Sequence, residues 1–235
     1  TFFVMAACDP LRTRSLPTEL NAAIPMVLAL GFALAGLRGT GALSAAIALA
    51  GVTLSLHLQS VHSGFVYDDR LWARPWTLSE LASTFVGSED PRGISGEQYR
   101  PIPSITHALD HALFGPSAFA FHGTNMALHA LSALLLFIFL GRLHLSRGPA
   151  VLGALTLAAH PMAASSVGWI SERTDTLADI FMLATLIVFL GPTGTRTLRV
   201  LGVSVLALWS KETAVILPVL AILFAQAGLD PGQRR

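Results

Sequence analysis

Apolar runs recur along the chain at positions 24–37, 42–58, 121–140, 150–164, 177–190, 198–208 and 213–227. Charged, Gly-bearing or Pro-bearing breaks separate them. The chain must therefore lay down several apolar helices and find somewhere to bury their faces. A helix that crosses a bilayer needs about 20 mostly apolar residues, and several runs reach that length only with small polar neighbours. Composition decides between a soluble core and a membrane. Only 12% of the 235 residues are charged and 53% are hydrophobic, with a mean hydropathy of +0.62, whereas a soluble domain carries about 25% charged residues. The reading is an all-α membrane protein, a multi-span helical bundle of six or seven helices. The run at 24–37 is either a span or half of a hairpin turning at Arg38-Gly39-Thr40-Gly41.

A net charge of +1 gives no basic surface for nucleic acid. The single cysteine, Cys8, excludes an internal disulfide framework. Residues 1–20 lack the charged, apolar and small-residue order of a cleavable signal and stand apart as an N-terminal segment, leaving 21–230 as the membrane domain. That domain is expected to be incomplete, because Gln233-Arg234-Arg235 follows directly on an apolar run. Arg142 with Arg147, Arg196 with Arg199, and Arg234 with Arg235 fall on one side if the intervening spans pair off. By the positive-inside rule that side is cytoplasmic. The segment at about 61–120 then becomes a long first extracytoplasmic loop, facing the periplasm if the membrane is a bacterial inner membrane. Within it, Pro103 can open a helix. Ile105, Leu109 and Leu113 follow at four-residue spacing, and Gly115 makes a stop. His107, Asp110 and His111 mark the polar face of a helix expected to lie in the interface with its apolar side down. A shorter helix is expected near 78–85.

Polar residues in such a chain need reasons. Asp68 and Asp69 follow Phe65-Val66-Tyr67 where an apolar helix would emerge into water. An adjacent acid pair in water is ordinarily a turn or a helix cap. At a membrane exit, partial burial and mutual repulsion can raise one pKa towards neutrality, which suits a general base. Glu172, Asp175 and Asp179 are spaced three and four apart and share a helix face. Three like charges there call for a cation, and Arg173, Lys211 or a bound metal could serve. Otherwise they form an ion-pair network tying helices together. Ser210-Lys211-Glu212 interrupts two apolar runs, either as a helix start with Ser210 as cap or with Lys211 placed to meet a lipid phosphate. His122, Asn125 and His129 have helical spacing and read as interhelical hydrogen-bonding groups rather than metal ligands. Arg100, in Tyr99-Arg100-Pro101, is placed for a phosphate or a carboxylate.

These clusters, in this order, resemble the transmembrane and TPR repeat-containing O-mannosyltransferase family and its bacterial relatives, which are GT-C type glycosyltransferases. The matching pieces are Phe65-Val66-Tyr67-Asp68-Asp69, Tyr99-Arg100-Pro101, Phe121-His122-Gly123-Thr124-Asn125 with His129, His160-Pro161, Trp169-Ile170-Ser171-Glu172-Arg173-Thr174-Asp175 and Ser210-Lys211-Glu212-Thr213. They cover roughly 42–228.

The resemblance implies a GT-C-like bundle, a sugar donor carried on a polyprenyl or dolichyl phosphate, and a protein or peptide hydroxyl as acceptor. It places the base on Asp68, with Asp69 orienting the base or the acceptor. Arg100, Arg173 and Lys211 become candidates for the donor phosphate, and Glu172 and Asp175 for positioning those cations or sugar hydroxyls. His160 and Glu212 join them as substrate-binding candidates. A divalent metal is compatible with this chemistry but not demanded by it. The later helices and TPR repeats of the family are not in this sequence. Two other readings stay open: a transporter or flippase-like bundle with Asp179 and Lys211 on a substrate path, and an inactive membrane anchor of a larger TPR protein. A transporter would carry polar breaks in two repeated halves, whereas here the polar clusters crowd one side.

Overall fold

The computed structural model describes residues 41–88, 90, 98–192 and 195–229, and every regular element among them is helical. The run at 24–37, its alternative hairpin turn at 38–40, the 1–20 segment with Cys8, and Arg234 and Arg235 lie outside the described residues. Helix α1 (Ala42–Leu56) passes through a 3-10 turn (Leu58–His62) into two short helices, α2 (Asp69–Trp72) and α3 (Leu78–Ser83). The last starts on a capping box, in which Thr77 accepts from the backbone N–H of Glu80 and the Glu80 side chain accepts from that of Thr77. This arrangement satisfies two donors that a helix start leaves open.

Helix α4 (Pro101–Phe114) begins with Pro101, whose missing N–H costs nothing in a first turn. It ends at Gly115, where φ is 65° and ψ −160°, a conformation that side chains resist. Then come α5 (Ala118–Arg142), α6 (Arg147–Ala159), α7 (Ala163–Gly168), a 3-10 turn (Ile170–Glu172), α8 (Arg173–Phe189) and α9 (Arg196–Leu208). A 3-10 turn (Glu212–Ile216) leads into α10 (Leu217–Gln226). The apolar runs within the described residues thus do become helices. By length and composition, α5 is the one among them long and apolar enough to cross a membrane. The rest are shortened by breaks such as Pro161 and Ser210-Lys211.

Helix α5 is central and packs against α1, α6 and α8. Its contact with α6 uses an alanine stripe: Ala150, Ala154 and Ala158 are buried four residues apart, and the last two cluster with Ala133 and Leu49. A Cβ on Gly153 would come within 2.7 Å of the Leu140 side chain, so the small residues let these backbones approach closely. Helices α5 and α8 are joined at one end through Asn125 and Arg173. At the other end Phe139 and Leu186 belong to one cluster, and Phe224 of α10 lies against Phe139 at 5.9 Å. Arg142, Arg147 and Arg196 belong to this second end, where Arg196 reaches the Phe189 carbonyl. The acidic clusters all lie at the first.

Helix α4 corrects one expectation. Its polar face does not look into water: His107 and Asp110 are buried, whereas Leu109 and Leu113 point outward. His107 stacks between Trp72 and Phe121, with ring centroids 5.4 and 6.0 Å away. Asp110 turns inward because a cation waits there.

Candidate functional site

The acid pair sits on a kink. Phe65 packs edge-on against Phe121, and Tyr67 then adopts φ 47°, a left-handed conformation that costs a non-glycine residue roughly 1–2 kcal/mol. The kink sends the next two side chains to different places. Neither caps the helix that follows, although Asp68 stands at its N-cap position. Asp69 turns inward and is wholly buried. Its Oδ1 accepts from the backbone N–H of Ile170 (3.0 Å) and Ser171 (3.4 Å), and its Oδ2 from that of Val66 (2.9 Å). Burial pushes its pKa up to about 6, against the pull of those N–H groups, with Asp68 adding to the rise. Asp68 is half-buried. Both of its side-chain bonds fall on Oδ1, from the Trp169 indole N–H (2.9 Å) and the Ser171 hydroxyl (2.5 Å). Its Oδ2 is the oxygen left to present outward.

Behind the acids lies a buried polar network. Arg173 is fully buried; its Nε donates to Asn125 Oδ1 and its Nη2 to Asp110 Oδ2, both at 2.6 Å, and Nη2 also reaches the Phe121 carbonyl. Thr124 donates to the other oxygen of Asp110 (2.9 Å). The Asn125 amide turns to the carbonyls of Ser166, Trp169 and Ile170 (3.4–3.5 Å), and the His122 ring lies 3.4 Å from those of Val167 and Gly64. His129 lies 3.4 Å from the Ala158 carbonyl. The predicted interhelical role of His122, Asn125 and His129 is what these contacts show.

Arg173 therefore does not stand with the other cations, contrary to the expectation that it faces the donor phosphate: it has no solvent-facing surface and its donors point into the core. The spacing contained a hint. On a helix Arg173 is about 100° from Glu172, off the face shared with Asp175 and Asp179. Lys211 is the cation that meets that face, bonding Asp175 Oδ1 at 2.5 Å. Arg100 makes a two-pronged pair with Glu212, Nη2 to Oε1 at 2.7 Å and Nε to Oε2 at 3.1 Å. Lys211 and Arg100 both act electrostatically on Glu172. Lys211, Arg100 and Glu212 thus cluster about Glu172 and Asp175, and Asp68 joins that cluster only through Ser171, the residue before Glu172. His160 is exposed, and its ring accepts from the backbone N–H of Met162 in its own turn. Ser210 is not the expected cap; it donates to the Leu206 carbonyl of the preceding helix. Among the described residues no three His, Cys, Asp or Glu side chains are grouped to hold a metal ion.

Glu172 carries a testable pH signature. A hydrogen bond with Asp175, together with burial and the charge of Asp175, pushes its pKa from 4.5 up to about 7. In that range the folded chain holds a proton that the unfolded chain has released. The contribution of Glu172 to stability therefore falls as pH rises from about 4.5 to 7. Glu172→Gln is expected to flatten this part of the slope when the midpoint of thermal unfolding in detergent is followed against pH. Equal slopes in both proteins would rule the shared proton out.

No family model matches the chain, and no solved structure does. Curated proteins do. The chain is 32% identical to human protein O-mannosyl-transferase TMTC1 over 156 residues, 62% of this chain and 18% of that protein. With human protein O-mannosyl-transferase TMTC2 it shares 28% over 189 residues, 72% of this chain and 22% of the relative. The chain is thus similar to TMTC protein O-mannosyl-transferases over part of its length. A Drosophila melanogaster relative, protein O-mannosyl-transferase Tmtc2, is 30% identical over 146 residues, 57% of this chain and 15% of its own. The chain thus spans about a fifth of the length of these TMTC relatives.

The sequence alone did not reveal the parts played by Trp169, Ser171 and Asp110. Trp169 and Ser171 lie in a piece that carried the resemblance, yet only the contact with Asp68, 101 and 103 residues away, reveals them. Asp110 was read as a water-facing residue because nothing local identifies its partner.

Proposed function

We propose that this chain belongs to the membrane part of a protein O-mannosyltransferase of GT-C type. On this reading it moves mannose from a polyprenyl-phosphate donor to a protein hydroxyl on the extracytoplasmic side of a multi-pass bundle, in a bacterial inner membrane. The observation that supports the reading is Asp68, one carboxylate oxygen of which is held by Ser171, next in the chain to Glu172, on which Lys211 and Arg100 act. The names of the TMTC relatives support mannose as the sugar and a protein as the acceptor. Exposed apolar side chains on α9 and α10, among them Leu198, Leu201, Val219 and Ile222, suit helices that face lipid.

The chemistry asks little of the protein. Asp68 Oδ2 takes the proton of an acceptor serine or threonine hydroxyl. The oxygen attacks the anomeric carbon as the bond from that carbon to the phosphate oxygen breaks, and the electron pair leaves with the polyprenyl phosphate. One displacement inverts the anomeric centre and needs one base. Arg100 and Lys211 stabilise the phosphate charge. Glu212, the exposed partner of a mostly buried Arg100, is placed to swing away when a phosphate takes its position. Glu172 and Asp175 hold Lys211 and the sugar hydroxyls.

The test reconstitutes the complete gene product in proteoliposomes with radiolabelled polyprenyl-phosphate mannose and serine- or threonine-bearing peptides. Label on the peptide, with the anomer inverted, is the expected outcome. Transfer from a nucleotide sugar alone would overturn the donor assignment. Movement of the donor across the bilayer without transfer would replace the reading with a flippase.

A further inference from the structure

The two donors on Asp68 Oδ1 come from one short segment, and that segment is clamped more heavily than a surface turn requires. Ile170 and Ser171 give their backbone N–H groups to Asp69 Oδ1. Trp169 and Ile170 give their carbonyls to the Asn125 amide, whose own oxygen is held by Arg173 Nε at 2.6 Å. The Trp169 ring is flanked by Tyr67, with centroids 5.8 Å apart. An aspartate carboxylate otherwise rotates freely about its last torsion. Two donors on one oxygen remove that freedom and decide which oxygen faces outward.

We propose that Trp169 and Ser171 are positioning residues that fix the Asp68 carboxylate through Oδ1 and thereby aim Oδ2 at the acceptor hydroxyl. The inference rests on Asp68 being the base. Neither residue need touch substrate. Both act by keeping the proton-accepting oxygen in line before the acceptor arrives, and misplacement by about 1 Å costs on the order of 10²-fold in rate. Asp69 serves the same geometry from the other side: by binding the N–H groups of 170 and 171 it holds the segment against the acid kink.

The test measures kcat and the donor KM in the reconstituted complete gene product. Trp169→Phe keeps the ring and removes the donor. Ser171→Ala removes the hydroxyl, and Ser171→Thr restores it. Trp169→Phe and Ser171→Ala are each expected to lower kcat by about 10-fold or more with donor KM little changed, and Ser171→Thr to stay near wild type. Wild-type kcat in the first two variants would overturn the proposal. So would equal losses in Ser171→Ala and Ser171→Thr, because the site would then be responding to packing rather than to the hydroxyl. Asp68→Asn, run alongside, separates the two layers. If it abolishes transfer while Trp169→Phe and Ser171→Ala are unaffected, the positioning inference alone fails. If it leaves transfer intact, the base assignment falls and takes the inference with it.

Discussion

With Asp68 as the base proposed above, Asp68→Asn is expected to lower sugar transfer by about 10²–10⁴-fold, the range that a positioned general base contributes, while binding of the proposed lipid-linked donor persists. The substitution keeps shape and the acceptor oxygen that Trp169 and Ser171 bond, and removes only the capacity to take a proton. Transfer and donor retention should be measured in the same proteoliposomes at matched protein amounts. Asp69→Asn differs in kind. Both oxygens of Asp69 are already taken by backbone N–H groups, and an amide would turn a donor towards at least one of them. Its effect is expected first in protein yield and thermal unfolding. A variant at 69 that folds normally but is dead, beside an active Asp68→Asn, would reverse the assignment.

Arg173→Met destabilises the folded chain by about 3–5 kcal/mol, as removal of one partner from a buried ion pair does. The methionine nearly fills the space, but Asp110 is left buried without its cation and the Asn125 oxygen without its donor. Arg173→Lys is expected to recover only part of the loss, because an ammonium on a flexible stem cannot bond Asn125 and Asp110 with the fixed fork of a guanidinium. Combining Arg173→Met with Asp110→Leu removes the stranded charge and should regain much of the stability. Thermal unfolding of the detergent-purified protein distinguishes these cases. An unchanged midpoint for Arg173→Met would contradict the pairing described here.

How much of this was legible in the sequence depended on distance along the chain. The α4 boundaries could be read locally, since prolines open it and Gly115 ends it, as could the short helix near 78–85. The apolar runs marked α1, α5, α6, α8, α9 and α10. Orientation was harder. Apolar spacing at Ile105, Leu109 and Leu113 predicted the amphipathic helix, but spacing alone does not say which of its faces turns inward. Asp110 goes inside because Arg173, 63 residues later, offers a fully desolvated pairing that water does not need to share. The same long-range contact removed Arg173 from the cations of the site. Lys211 could be picked out as the chain's sole lysine and as an interruption between apolar runs. Its partner Asp175 was foreseeable only as one member of an acidic face in want of a positive charge.

The buried fork of Arg173 has a mechanical consequence. It fastens α4, α5 and α8 to one another at the level of the acid kink, so these helices cannot slide past each other by a turn without stranding a charge. The opposite flank is built differently: Arg100 reaches across to Glu212 in a 3-10 turn, and the carboxylate there is largely in solvent. If the chain works as proposed above, the half holding Asp68 is expected to stay still, and any opening for the donor to fall on the flank of Arg100 and Glu212. Of the two flanks, only the one with Glu212 can exchange its partner without stranding a buried charge.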